Sequence, residues 1–195
     1  GVLGGMGPAA TTAFLARVQA LTPAAGDDDH IRIIADINPQ VPNRHTQPEA
    51  AGRTLGEMAR ALKTAGAQVL AIDMIAETAK AAGATGARRV GVLATPGAAL
   101  LYAEALSAEG LEMVAPSPAE RERFMQVVFG VKAGDVGPDQ RAAMRDLAQA
   151  LIAAGAEAVI GGCTEVPLLL DQGDVDAPLI DSAEVLARAC VAACR

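Results

Sequence analysis

The chain has 195 residues, enough to bury a real core as one large domain or two small ones without disulfide or metal staples. Half of it is apolar (51%), mostly Ala, Val, Leu and Ile, with no Trp, one Tyr and a formal net charge of -7. That balance excludes the stacking aromatics and clustered cations of a nucleic-acid binder, so an anionic substrate must be held by a few placed cations.

Short apolar runs alternate with Ala-rich stretches of helical character. In chain order the pattern predicts a strand at 2–3, a helix from about 8, a strand at 31–37, a helix at 55–65, a strand at 69–72 and a helix at 76–82. It resumes with a strand at 90–94, helices at 99–109 and 141–154, a strand at 158–160 and a final helix at 183–193. Alternation of this kind predicts an α/β fold with parallel sheets, whose ligands sit at the carboxyl ends of the strands.

Three cysteines, Cys163, Cys190 and Cys194, make no disulfide framework, and the last two fall on a helical stretch where packing is their expected role. No uncharged apolar run reaches the roughly 18 residues of a membrane span, and no leader-like segment is visible. A cytoplasmic protein without a membrane partner is expected. The first residue is glycine, so a gene product longer than this chain is expected as well.

The two halves of the chain can be laid over one another. Gly1-Val2-Leu3-Gly4 aligns with Gly91-Val92-Leu93-Ala94 at an offset of 90, and Ala65-Gly66-Ala67 with Ala154-Gly155-Ala156 at an offset of 89. Beyond Ile72 the register breaks: Asp73 followed by Ala79-Lys80-Ala81 matches Asp181 followed by Ala187-Arg188-Ala189 at an offset of 108, so the first half is short by 19 residues. In the second half the corresponding extra stretch begins near Gly162 and carries Cys163-Thr164-Glu165. A mobile segment or a true deletion explains the break. The first predicts that the Cα atoms of Ile72 and Asp73 lie much farther apart than the 3.8 Å of a trans peptide.

Cys163 follows the predicted strand at 158–160, near an expected helix N-terminus where a thiolate would be favoured; Gly, Thr and Glu flank it, which suits a site better than a core. The loop Gly4-Gly5-Met6-Gly7-Pro8 joins strand to helix, and is either an anion-binding loop or a plain tight turn; a dinucleotide site lacks its G-x-G-x-x-G spacing. Two prolines stiffen Asn38-Pro39-Gln40-Val41-Pro42-Asn43-Arg44, which can offer Asn38 and Arg44 to a carboxylate, although a solvated Arg is the plainer reading. Thr95 is either a hydroxyl donor or a helix cap, and Lys132 before Gly134 reads alone as a helix-end charge. His30 and His45 have no ligand pattern around them, so no metal is expected.

Taken in order, Gly4-Gly5-Met6-Gly7-Pro8, Asn38-Pro39 with Pro42-Asn43-Arg44, Leu93-Ala94-Thr95 and Gly162-Cys163-Thr164-Glu165 resemble the aspartate/glutamate racemase family, over nearly the entire chain. The glycine loop and the Pro-Asn-Arg segment are similar to the aspartate racemase branch and its broader-specificity relatives. The resemblance implies two similar parallel-sheet α/β domains with the active site in the cleft between them, about 1–72 plus 181–195 and 73–180. It further implies a homodimer acting on a small amino-acid substrate, with two cysteines and neither pyridoxal phosphate nor any other cofactor. Cys163 would be one catalytic thiol, Thr164 would lie near the substrate carboxylate and Glu165 in support. Arg44 and Lys132 match the cations that bind substrate carboxylates, and Met6, Asn38 and Thr95 match substrate contacts. The family's second cysteine lies in a Cys-Asn-Thr-Ala-His string after the strand that ends here at Ile72, and this chain lacks that string. A one-cysteine decarboxylase of arylmalonate type and an inactive amino-acid-binding homologue are the alternatives.

Overall fold

The structure is a computed structural model that describes residues 1–5, 7–43, 46–68 and 72–194. By the density of its contacts the chain divides into two compact units, Gly1–Ile72 with Ala187–Arg195, and Asp73–Leu186.

In the first unit, β1 (Val2–Gly4) and β2 (Ala35–Ile37) pair in parallel, Leu3 opposite Asp36, and α1 (Pro8–Leu21) and α2 (Pro48–Thr64) follow them. β2 is shorter than the expected 31–37, and the end of the expected strand at 69–72 lies largely outside the described residues. Pro8 stands in the first turn of α1, where its missing N-H costs nothing. Gly5 (φ 108°) has no room for a side chain, because a Cβ there would overlap the Asn38 backbone; the loops after β1 and β2 meet at that point, and Asn38 N-H donates to Gly4 O at 3.1 Å. Val18, Ala187 and Val191 form a small core with Phe14, Leu21, Ile31 and the partly buried Cys190. Cys194, expected to pack, is instead exposed, because it stands just past the end of the helix at Ala193 and beyond this cluster.

The second unit carries a four-stranded parallel sheet of order β4-β3-β5-β6, from β3 (Arg89–Leu93), β4 (Glu112–Val114), β5 (Ala158–Gly161) and β6 (Leu179–Asp181). Its helices are α3 (Met74–Ala84), α4 (Pro96–Ala108), α5 (Pro118–Lys132), α6 (Pro138–Ala153) and the start of α7 (Ser182–Ala193). Alternate residues of β3 and β5 enter two cores. Val90, Val92, Ala158 and Ile160 pack with Ala79, Ala82, Tyr102 and Leu106 of α3 and α4. Leu93 and Val159 pack with Phe124, Val128, Met144, Leu147 and Leu151 of α5 and α6. Strands buried on both faces explain the continuous apolar runs in the sequence. The α/β class and the parallel sheets are as the alternation predicts.

The amino edge of this sheet is tied by fixed polar contacts. Glu157 accepts from the backbone N-H groups of Arg88 and Arg89 at 2.6 and 3.2 Å, while the Arg89 guanidinium donates to the carbonyls of Ala154 and Gly155 at the end of α6. The carboxyl edge is left to the loops that follow β3 and β5.

Asp73 is the N-cap of α3 (φ -79°, ψ 101°), its Oδ1 accepting from Ile75 N-H and Ala76 N-H at 2.9 and 3.2 Å. This cap stands at the point where the register of the internal repeat breaks.

Candidate active site

Parallel register sets the site. Leu93 lies opposite Gly161, and Gly162 N-H donates to Leu93 O at 2.9 Å, so the turn carrying Cys163 starts beside the one carrying Thr95. Past Cys163 the chain folds into a short 3-10 turn, Val166–Leu168, with Val166 N-H donating to Cys163 O at 3.0 Å. Sequence reasoning expects a helix N-terminus here that would favour thiolate. A single 3-10 turn has little dipole to offer, and the environment acts the other way.

Cys163 is half-buried against the α5/α6 core, and its thiol donates to Glu165 Oε2 at 2.8 Å. Burial first, then the hydrogen bond to Glu165 and its negative charge, push the thiol up to about 12; Lys132 opposes weakly. The expected thiolate is thus corrected to a protonated thiol, since neither burial nor an adjacent carboxylate tolerates a second negative charge. Thr164 Oγ1 also donates to Glu165 Oε2, at 3.1 Å. On the other carboxylate oxygen, Lys132 Nζ stands 3.8 Å from Oε1; the lysine side chain is 56% exposed and Glu165 only 13%. Lys132 is the last residue of α5, as a helix-end charge would be, yet it is aimed at Glu165 and remains open to solvent.

Thr95 is the N-cap residue of α4, but its side chain makes no capping bond. That leaves its hydroxyl for another partner at the same edge. Thr95, Lys132, Cys163, Thr164 and Glu165 are therefore gathered at one end of one sheet by the order of its strands. Asn38 belongs to the first unit, where its side-chain oxygen accepts from Gln40 N-H at 2.9 Å, an Asx-type turn. Met6 and Arg44 lie outside the described residues, as does His45. Among the described residues no group of His, Cys, Asp and Glu is placed to hold a metal, and no helix is long and apolar enough to cross a membrane.

Sequence reasoning missed a buried polar cluster beneath this loop. Tyr102 of α4, Thr78 of α3 and Ser182 at the head of α7 are all buried. Ser182 Oγ donates to Gly161 O at 2.9 Å and Thr78 Oγ1 to Met74 O at 2.6 Å. The available signal was the single Tyr of the chain, set in an otherwise aliphatic helix.

The chain is similar to known proteins in three ways. The family model of Asp/Glu/Hydantoin racemase matches residues 71–190, well over half of the chain. An uncharacterized protein from the pnlA 3′ region of Pectobacterium carotovorum subsp. carotovorum is 31% identical over 124 residues, which are 62% of this chain and 80% of that protein. Among solved structures, a Yersinia pestis protein provisionally described as an Asp/Glu racemase superposes with a TM-score of 0.89 at 22% identity, covering 99% of this chain and 97% of that one. An aspartate racemase homologue from Pyrococcus horikoshii OT3 gives a TM-score of 0.82 at 24% identity, with coverage of 99% and 97%. Aspartate racemase of Picrophilus torridus gives 0.79 at 23%, with coverage of 99% and 92%. At these identities the structures speak for the fold, while the matched stretch contains Thr95, Lys132, Cys163, Thr164 and Glu165: the chain belongs to the Asp/Glu/hydantoin racemase family and is an isomerase.

Proposed function

We propose that the protein racemises aspartate or a related amino acid without a cofactor, using Cys163 on one face of the substrate Cα and a second cysteine on the other. The observation that carries this reading is the Cys163 thiol at the carboxyl edge of the sheet, protonated and donating to Glu165, beside the cation of Lys132. Inversion needs a base on one face and an acid on the other. A partner thiolate takes the Cα proton, and the Cys163 S-H bond breaks as its proton is delivered to the opposite face. The reverse direction exchanges the two roles. Thr95 and Thr164 hydroxyls, with Met6 and Asn38, are assigned to the substrate's polar groups, and Lys132 and Arg44 to its carboxylates. Neutralising those carboxylates lowers the energy of the carbanion-like transition state.

The internal repeat assigns the partner thiol to a segment of some 19 residues between Ile72 and Asp73, which this sequence does not contain. Cys190 and Cys194 are poor substitutes, since the first lies in α7, the second just past its end, and neither follows a strand. The natural protein is then expected to have an intact mass above 19.7 kDa by the mass of that segment. An unextended mass would favour the one-cysteine alternative, a decarboxylase of arylmalonate type, which carbon dioxide release from a disubstituted malonate would reveal. The racemase reading is tested with full-length protein and L-aspartate in deuterium oxide. Approach to equal enantiomers with one deuterium at Cα is expected. If no common amino acid is racemised or exchanged, the reading is lost, and ligand binding without turnover would point to an inactive amino-acid-binding homologue.

A further inference from the structure

The Tyr102 hydroxyl is the one buried side-chain polar atom that finds no hydrogen-bond partner among the described residues. Leaving such a group unpaired forfeits its hydration without replacement, so its retention calls for a reason. Ser182 and Thr78 lie close enough to pull the phenol down, but neither meets full hydrogen-bond geometry with it, and both spend their own protons on backbone carbonyls. Helical side chains lean toward the helix N-terminus, and α4 begins at the carboxyl edge of β3, so the ring is carried up toward the loop edge. There it lies flush against the chain at Gly162: a Cβ on that glycine would come within 2.6 Å of Tyr102 Cε2 and 3.2 Å of Cζ. Only glycine allows the backbone just before Cys163 to rest on the ring.

We propose that Tyr102 is a positioning residue for Cys163: its ring fixes the height of the Gly162-Cys163 backbone, and its unpaired hydroxyl is a dipole held by the loop to favour the thiolate whenever Cys163 gives up its proton. The proposal rests on Cys163 being the reacting thiol. The titratable groups facing that thiol are Glu165 from its own loop, Lys132 from α5 and Tyr102 from α4, with Asp181 of β6 acting on the tyrosine. Burial raises the phenol above its ordinary range against the lowering contacts of Ser182 and Thr78, and a charge on Cys163 raises it further, so the phenol keeps its proton and remains a donor when the thiolate forms. A hydroxyl that makes no hydrogen bond of full geometry turns toward a new negative charge at little cost, since Ser182 and Thr78 are its only rivals among the described residues as weak neutral acceptors.

The test is Tyr102→Phe, with iodoacetamide alkylation of Cys163 at pH 9 followed by peptide mass spectrometry, no substrate present, alongside thermal unfolding. Phenylalanine keeps the ring and removes only the hydroxyl. An unfolding temperature equal to or above that of the parent protein is expected, with an alkylation rate lower by about three-fold or more, which corresponds to half a pKa unit. An unchanged rate would overturn the tuning role, a steep loss of stability would show that the hydroxyl is bonded after all, and a thiol that reacts in neither protein also counts against the proposal. Because the readout needs no turnover, failure to racemise any amino acid would remove the proposed function without touching this result.

Discussion

Cys163→Ala is expected to lower racemisation by about 10²–10⁴-fold, the range that a positioned proton donor contributes, with little loss of fold. The turn that carries the residue is held by backbone bonds that alanine keeps, Gly162 N-H to Leu93 O and Val166 N-H to Cys163 O. Only the sulfur atom is lost from a half-buried position, so the stability change should stay within about 1.5 kcal/mol. Chiral chromatography of the product measures the loss. Deuterium at Cα adds a sharper signature: with the acid gone from one face, a remaining partner thiolate still exchanges the Cα proton of one enantiomer without inverting it. A variant that racemises at the parent rate would reduce Cys163 to a packing residue, and the site would have to be sought elsewhere.

Much of this site was legible in the sequence because strand-end motifs carry their own address. The turn after Leu93 and the Gly-Cys-Thr-Glu string each follow a short apolar run, and parallel topology sends both runs to the same edge of their sheet. What stayed hidden had weak local signal. α5 went unread although Ser117, Pro118 and Glu120 form a capping box ahead of Phe124, Val127, Val128 and Val131 at helical spacing. β4 and β6, three residues each, are too short to show a period. The protonation state of Cys163 was misread for a different reason. Sequence shows which residues flank the thiol, but not that Glu165 turns back to accept from it or that the following turn never becomes an α-helix. The role of Tyr102 was out of reach as well, since the contact joins Tyr102 to Gly162, far away along the chain.

Glu165→Gln is expected to act on the same thiol in the direction opposite to Tyr102→Phe. The glutamine keeps the size of the side chain, but removes the negative charge and replaces a strong acceptor for the S-H proton with a weaker one. Burial remains the larger cause of the upward push to about 12, so the thiol falls only part of the way toward its ordinary 9.0. A nearby like charge is worth about one unit or more, so alkylation of Cys163 at pH 8 should accelerate about tenfold. The same shift governs stability in alkali. Between pH 9.0 and about 12 the native thiol keeps a proton that the unfolded chain has lost, so the native state binds more protons and stability falls as pH rises through that window. Lowering the native pKa shrinks the window from its upper end, and the variant should lose less stability than the parent on going from pH 9 to pH 11, as read from thermal unfolding in matched buffers. An alkylation rate that stays level or drops would mean that burial alone sets the thiol, leaving Glu165 to hold Thr164 and Lys132 in place rather than to keep the proton on Cys163.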